Sequence, residues 1–133
     1  LGKRGEVRGI TDVTGFGILG HGLEIARGAG LRLRLRLAEL PLLSRAAELA
    51  EAGFVTGAST RNWAAYGAEV ELPEGLAPWQ RALLTDPQTS GGLLVACAPG
   101  AAGQVLDFIR GAGFPLAAVV GHAEQGVAGI SVE

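Results

Sequence analysis

At 133 residues the chain has the length of one domain, and a domain of this size buries roughly two-thirds of its unfolded surface, enough for a core without staples. The formal net charge of −2 argues against nucleic acid as a main partner, and the apolar runs fall far short of the about 20 residues that a membrane span requires. A single cysteine, Cys97, excludes an internal disulfide or a cysteine metal cluster, and with no signal segment at the start these features point to the cytoplasm.

Residues Leu1–Arg8 are polar and contain glycine, and read as the remnant of a linker, with the domain proper running over residues 9–133. The chain begins at Leu1 and contains no Met, so the expectation is a piece of something longer. Ile18, Leu19, Leu23, Ile25 and Ala26 recur with helical spacing, and Arg27-Gly28-Ala29-Gly30 supplies the cation and glycines of a helix stop. Leu31–Leu37 alternates Leu and Arg strictly, which predicts a strand with one apolar and one wet face. A short helix is expected over Ser44–Ala52 with Ser44 as its N-cap.

Gly53–Gly67 lacks a clean period and reads as a long loop, a feature that is usually functional in a compact domain. Ala68–Leu72 suggests a short strand, and Pro78–Leu84 one or two helical turns with Pro in first position. A turn-forming run, Asp86–Gly92, leads to a strand at Leu93–Ala98 expected to be buried, with Cys97 as an inert thiol inside it. A helix over Pro99–Gly111 and strands at Leu116–Gly121 and Gly129–Val132 complete the chain. This order predicts an α+β two-layer sandwich: a mixed or antiparallel sheet, wet on one side, with helices on the other.

The chain has three aspartates, and two of them, Asp12 and Asp86, lie in short motifs dense in Gly, Thr and Ser. The first is Thr11-Asp12-Val13-Thr14-Gly15-Phe16-Gly17. A short, hard carboxylate beside glycines suits a Mg²⁺–phosphate site, because the carboxylate holds the ion while bare backbone N–H groups approach phosphate oxygens. The alternative is a helix N-cap at Asp12 and a tight turn at Gly15 and Gly17. Thr11 and Thr14 either cap or line the site.

Gly15-Phe16-Gly17-Ile18-Leu19-Gly20 also matches the G-x-G-x-x-G dinucleotide fingerprint, with Glu39 near the place of a ribose-binding acid. Three features speak against it. The preceding segment, Val7–Val13, is polar and broken by Gly9, and the next strand alternates Leu with Arg, whereas a doubly covered parallel sheet needs continuous apolar runs. Asp12 would moreover lie against a pyrophosphate with no metal to offset its charge.

Taken together, the first motif with Leu19-Gly20-His21, the triplet Thr60-Arg61-Asn62 and the run Asp86-Pro87-Gln88-Thr89-Ser90-Gly91-Gly92-Leu93-Leu94 resemble the C-terminal domain of selenophosphate synthetases. That family lies within the ATP-binding superfamily of aminoimidazole ribonucleotide synthetase. The likeness covers about Gly9 to the end, in the family's order, and the Asp-Pro-Gln-Thr-Ser-Gly-Gly run is the more specific part. It implies an aminoimidazole ribonucleotide synthetase C-terminal-like fold, and a whole enzyme that converts ATP, selenide and water to selenophosphate, AMP and phosphate with Mg²⁺. It also implies that Asp12 helps bind Mg²⁺ on the ATP phosphates, and that the partners are the protein's own N-terminal domain and a second copy in a homodimer. The family's catalytic Cys or selenocysteine, its Lys and its other metal aspartates belong to the N-terminal domain. No catalytic residue is therefore expected in this chain, which should be inactive alone.

Two rivals are a sibling ATP-dependent enzyme of the same superfamily and an interaction module that kept the fold but lost the site. Asp86, Gln88, Thr89 and Ser90 read as a structural loop near the site, with direct substrate contact as the other option. Thr60, Arg61 and Asn62 lie in the expected loop, where Arg61 either pairs with a phosphate or is an ordinary surface cation. His21 reads as a satisfied structural histidine and His122 as chemically idle. Arg32, Arg34 and Arg36 form a solvated strand face or contact a missing partner. Trp63, Tyr66 and Trp79 are packing anchors rather than stacking platforms.

Overall fold

The computed structural model describes all 133 residues. Its elements are β1 (Val7–Asp12), α1 (Gly17–Ala29), β2 (Arg32–Leu35), α2 (Ala46–Glu51), α3 (Gly57–Tyr66), β3 (Val70–Glu71), α4 (Pro78–Thr85), β4 (Leu93–Cys97), α5 (Ala102–Gly111), β5 (Gly121–Glu124) and β6 (Gly129–Val132). A four-stranded mixed sheet has the order β3-β6-β2-β5, with β6 parallel to both β3 and β2 and β5 antiparallel to β2. A separate antiparallel ribbon joins β1 to β4. The α+β class expected from the sequence is the class observed.

The Leu/Arg alternation of β2 explains the layering. Leu33 pairs with Ile130 and Leu35 with Val132, and this face carries the helices. The core consists of Leu19 and Leu23 of α1, Leu35, Tyr66, Leu84, Ile130 and Val132. Leu19, Leu23 and Ala26 fall on one stripe of α1, and all three are fully buried. On the opposite face Arg32 bonds to the Ser131 hydroxyl and pairs with Glu71, while Arg34 pairs with Glu124 and Glu133. The Ser131 hydroxyl and Arg32 hold the Glu71 carboxyl below its ordinary range, and Arg34 does the same for Glu124. The arginine face is thus not a freely solvated one: Arg32, Arg34 and Arg36 are half-buried, and Arg32 and Arg34 are organised in a lattice of ion pairs across three strands.

The same topology settles the dinucleotide reading. β1 runs antiparallel to β4 and is absent from the sheet that contains β2, so β1-α1-β2 is not a parallel crossover unit.

Several expected elements differ. Val7 and Arg8, read as linker, open β1. Helix α2 starts at Ala46 behind Arg45, which sits at φ 66°, and Ser44 does not cap it. The stretch read as a long loop contains α3, whose N-cap Thr56 accepts the Ser59 N–H. Its inward positions are polar (Ser59, Asn62) as well as aromatic (Trp63, Tyr66), and this hid the period. β4 is only half-buried, with Leu93 exposed, because a two-stranded ribbon is covered on one side alone. The penultimate strand is not Leu116–Gly121 but Gly121–Glu124: the polar Gly-His-Ala-Glu segment pairs with β2, while Leu116 lies exposed in the preceding loop. No helix is long and apolar enough to cross a membrane.

Candidate functional site

The two polar motifs are built into one another. The Val13 N–H donates to the Gly92 carbonyl and the Gln88 N–H to the Thr14 carbonyl, both at 2.9 Å. Gly91 lies so close to Val13 that a Cβ there would overlap the Val13 carbonyl oxygen. The glycine pair at 91–92 therefore lets the second motif lie flush against the first.

The loop between β1 and α1 is tied down from three further sides. Asn62 donates from Nδ2 to the carbonyls of Gly15 and Thr85, each at 2.9 Å. The Tyr66 hydroxyl donates to the Phe16 carbonyl at 2.6 Å, and burial pushes that phenol up to about 12 despite a smaller opposing contact at Gly20. Gly17 takes φ +68°, and a Cβ on it would come 2.7 Å from the Thr85 carbonyl carbon. Its lack of a side chain is thus used to seat the loop on the end of α4.

Thr14 closes the ring. Its Oγ1 lies 3.0 Å from His21 Nε2, and His21 Nδ1 lies 2.9 Å from Glu24 Oε2. His21 is buried, as expected of a structural histidine, while Thr14 is exposed.

The two aspartates play opposite parts. Asp86 accepts from the Thr56 hydroxyl at 3.1 Å, the Ser59 hydroxyl at 3.4 Å and the Gln88 amide at 3.3 Å, so its carboxylate is consumed in pinning α3 to the loop. Asp12 ends β1, exposed, and its carboxylate has no hydrogen-bond or ion-pair partner in the chain. It is not a helix cap: α1 starts behind Phe16, which makes no side-chain capping bond. Asp12 pairs across the ribbon with Leu93 and lies two residues beyond Ile10, so it shares the ribbon's outward side with two exposed apolar groups. Thr11 falls on the other side and is half-buried.

Of the triplet 60–62, only Asn62 is brought to the loop by a bond; Thr60 and Arg61 are exposed on α3 with side chains bonded to nothing. Thr89 and Ser90 are likewise exposed and unpartnered, whereas Gln88 is held to Asp86. The residues that sequence reasoning passed over are Thr56 and Ser59, which hold Asp86, and Glu24, which orients His21. The Thr56-Gly57 boundary is a capping signal that could have revealed the first pair.

No group of three His, Cys, Asp or Glu side chains stands close enough to hold a metal ion. Asp12 fits a divalent ion as one ligand among several, since its carboxylate is a hard oxygen donor, exposed and free of internal partners.

The chain is 62% identical over 127 residues to the selenide, water dikinase of Rhizobium meliloti (strain 1021), covering 96% of this chain and 36% of that protein. It is 56% identical over 126 residues to the enzyme of the same name from Pseudomonas straminea, covering 95% of the chain and 35% of the relative. For the one from Dechloromonas aromatica (strain RCB) the figure is 49% over 126 residues, with 95% and 36% covered. The chain therefore spans about a third of the length of these curated relatives, at 35–36%. The profile of the family described as AIR synthase related protein, C-terminal domain, matches residues 1–132, nearly the whole chain, and this chain belongs to that family.

Proposed function

We propose that this chain is the C-terminal domain of a selenophosphate synthetase, an enzyme that turns ATP, selenide and water into selenophosphate, AMP and phosphate in the cytoplasm. Its relatives bear the name selenide, water dikinase at 49–62% identity over nearly the whole chain. The observation that carries the site assignment is the unpartnered Asp12 carboxylate at the end of β1, beside a loop whose Thr14, Gly15 and Phe16 carbonyls are held by Gln88, Asn62 and Tyr66. A carboxylate left free in so constrained a place is arranged for something outside the domain.

Asp12 would serve as one Mg²⁺ ligand, and the ion, when bound, would offset charge on the ATP phosphates. Thr14 and Gly15 would flank it, with Gly17 holding the loop in place. Arg61, Thr60, Thr89 and Ser90 would be the exposed groups available to the substrate. Asn62, Asp86 and Gln88 support the loop. The remaining metal ligands and the reacting groups would come from an N-terminal domain, which would rest on the side of the ribbon where Asp12, Ile10 and Leu93 lie, in a homodimeric enzyme. Phosphoryl transfer depends on positioning and charge neutralisation, and a rigid loop offering one aspartate is a contribution of that kind.

The test is selenide-dependent AMP formation by the full-length protein, with and without Asp12→Asn. The proposal requires activity in the parent and a severe loss in the variant. A full-length protein that releases no AMP in the presence of selenide would instead point to a sibling ATP-dependent enzyme of the superfamily.

A further inference from the structure

The Thr14–His21–Glu24 chain carries information about what Thr14 faces. Glu24 offers His21 Nδ1 only acceptor oxygens, at 2.9 Å, so the ring proton of the neutral imidazole sits on Nδ1. Nε2 is then an acceptor, and the group 3.0 Å away is the Thr14 hydroxyl, which must donate its one proton there. The ring is buried and leans on Phe16 with centroids 5.8 Å apart, so it cannot readily turn away. Thr14 itself is exposed, and its carbonyl already receives the Gly17 and Gln88 N–H groups. With the imidazole neutral, Thr14 Oγ1 therefore keeps free lone pairs and has no proton to give.

We propose that His21 is a positioning residue that fixes Thr14 Oγ1 as an acceptor, directed to a hydrated or bare divalent cation and not to a phosphate oxygen. A phosphate oxygen is itself an acceptor and would be repelled by a hydroxyl so oriented. A cation, or a water bound to one, is the complementary partner. The inference rests on the proposed Mg²⁺–ATP site and refines it: Thr14 joins Asp12 on the metal side of that site. Glu24 orients the histidine as a carboxylate orients a ligand-bearing imidazole, at one remove from the ion.

Two measurements on the full-length protein decide the matter. In the ¹⁵N-histidine-labelled protein without metal, two-bond correlations should show His21 protonated at Nδ1, and Thr14→Val should shift the Nε2 resonance. A ring protonated at Nε2, or one indifferent to Thr14→Val, overturns the proposal. In steady-state assays Thr14→Val and His21→Gln should each raise the Mg²⁺ concentration needed for half-maximal rate by about 10- to 100-fold. The double variant should be no worse than Thr14→Val, Thr14→Ser should restore the parent, and Glu24→Gln, at a half-exposed side chain, should give a milder form of the His21 defect. Effects that multiply, or a His21→Gln protein that loses thermal stability with unchanged Mg²⁺ dependence, would sink it. A full-length parent that makes no AMP from ATP and selenide instead removes the proposed function, and the imidazole resonances still decide how the Thr14 hydroxyl points.

Discussion

Asn62 donates to the Gly15 carbonyl from a helix 47 residues further along the chain, and the same nitrogen reaches the Thr85 carbonyl, so one amide ties the β1–α1 loop to both α3 and α4. Asn62→Ala removes both bonds and strands the Thr85 carbonyl in a part-buried place, and should cost about 1–3 kcal/mol. Asn62→Asp should cost more, because a carboxylate would face two carbonyl oxygens. Thermal melts of the two variants check the order; equal losses would mean that the amide is not acting as a donor.

Asp12→Asn should leave the melting temperature nearly unchanged. The carboxylate touches no partner in the chain, and exposed substitutions of this kind usually fall within about 0.5 kcal/mol. A substantial loss of stability would show that Asp12 is structural.

Gly17 and Gly30 make a controlled pair, since both adopt the left-handed conformation, at φ 68° and 65°. Alanine costs about 1–2 kcal/mol at either position for conformation alone. Only at Gly17 does the added carbon also meet backbone, 2.7 Å from Thr85, while the space around Gly30 is open. Gly17→Ala should therefore be the worse of the two by a further ~1–3 kcal/mol, measured by urea unfolding.

The pH dependence has two limbs. Burial raises the Tyr66 phenol from 10.0 to about 12, so the unfolded chain ionises first and stability should decline as pH rises through that interval. Tyr66→Phe should abolish that decline at a cost of about 1 kcal/mol near neutrality, since the Phe16 carbonyl keeps its Gly20 N–H. At the acid end, Glu69, Glu71 and Glu124 are held below their ordinary value of 4.5, chiefly by Arg27, by Ser131 with Arg32, and by Arg34. Their contribution is present above that value and is lost as pH falls through the depressed range, and added salt should weaken it. Denaturant midpoints across pH in Tyr66→Phe and Glu124→Gln check each limb separately.

What the sequence disclosed and what it concealed divide along physical lines. The strand within Leu31–Leu37, observed over Arg32–Leu35, was legible because one side of β2 meets the core and the other carries half-buried, ion-paired arginines, which writes a period of two into the residues. α1 was legible for the same reason at its own period, and Gly30 marked its end. α3 was concealed because its inward side is stitched with hydrogen bonds from Ser59 and Asn62, which carry no hydrophobic signal. The strand at Gly121–Glu124 was missed because it is an edge strand with a polar composition, next to an apolar stretch that attracts the eye. At the site, the two motifs present Asp12 and Asp86 alike in one dimension, yet only the fold shows that the second is fully engaged within the domain.

The placement of β6 has a consequence for how the molecule is made. Gly129–Val132 is wedged between β3 and β2, and supplies the only lateral bridge between them. During synthesis the ribosome must deliver nearly the whole domain before these four residues can slot in, so the nascent polypeptide waits with its hydrophobic seam open. Such late, non-local closure is the kind of step that slows folding.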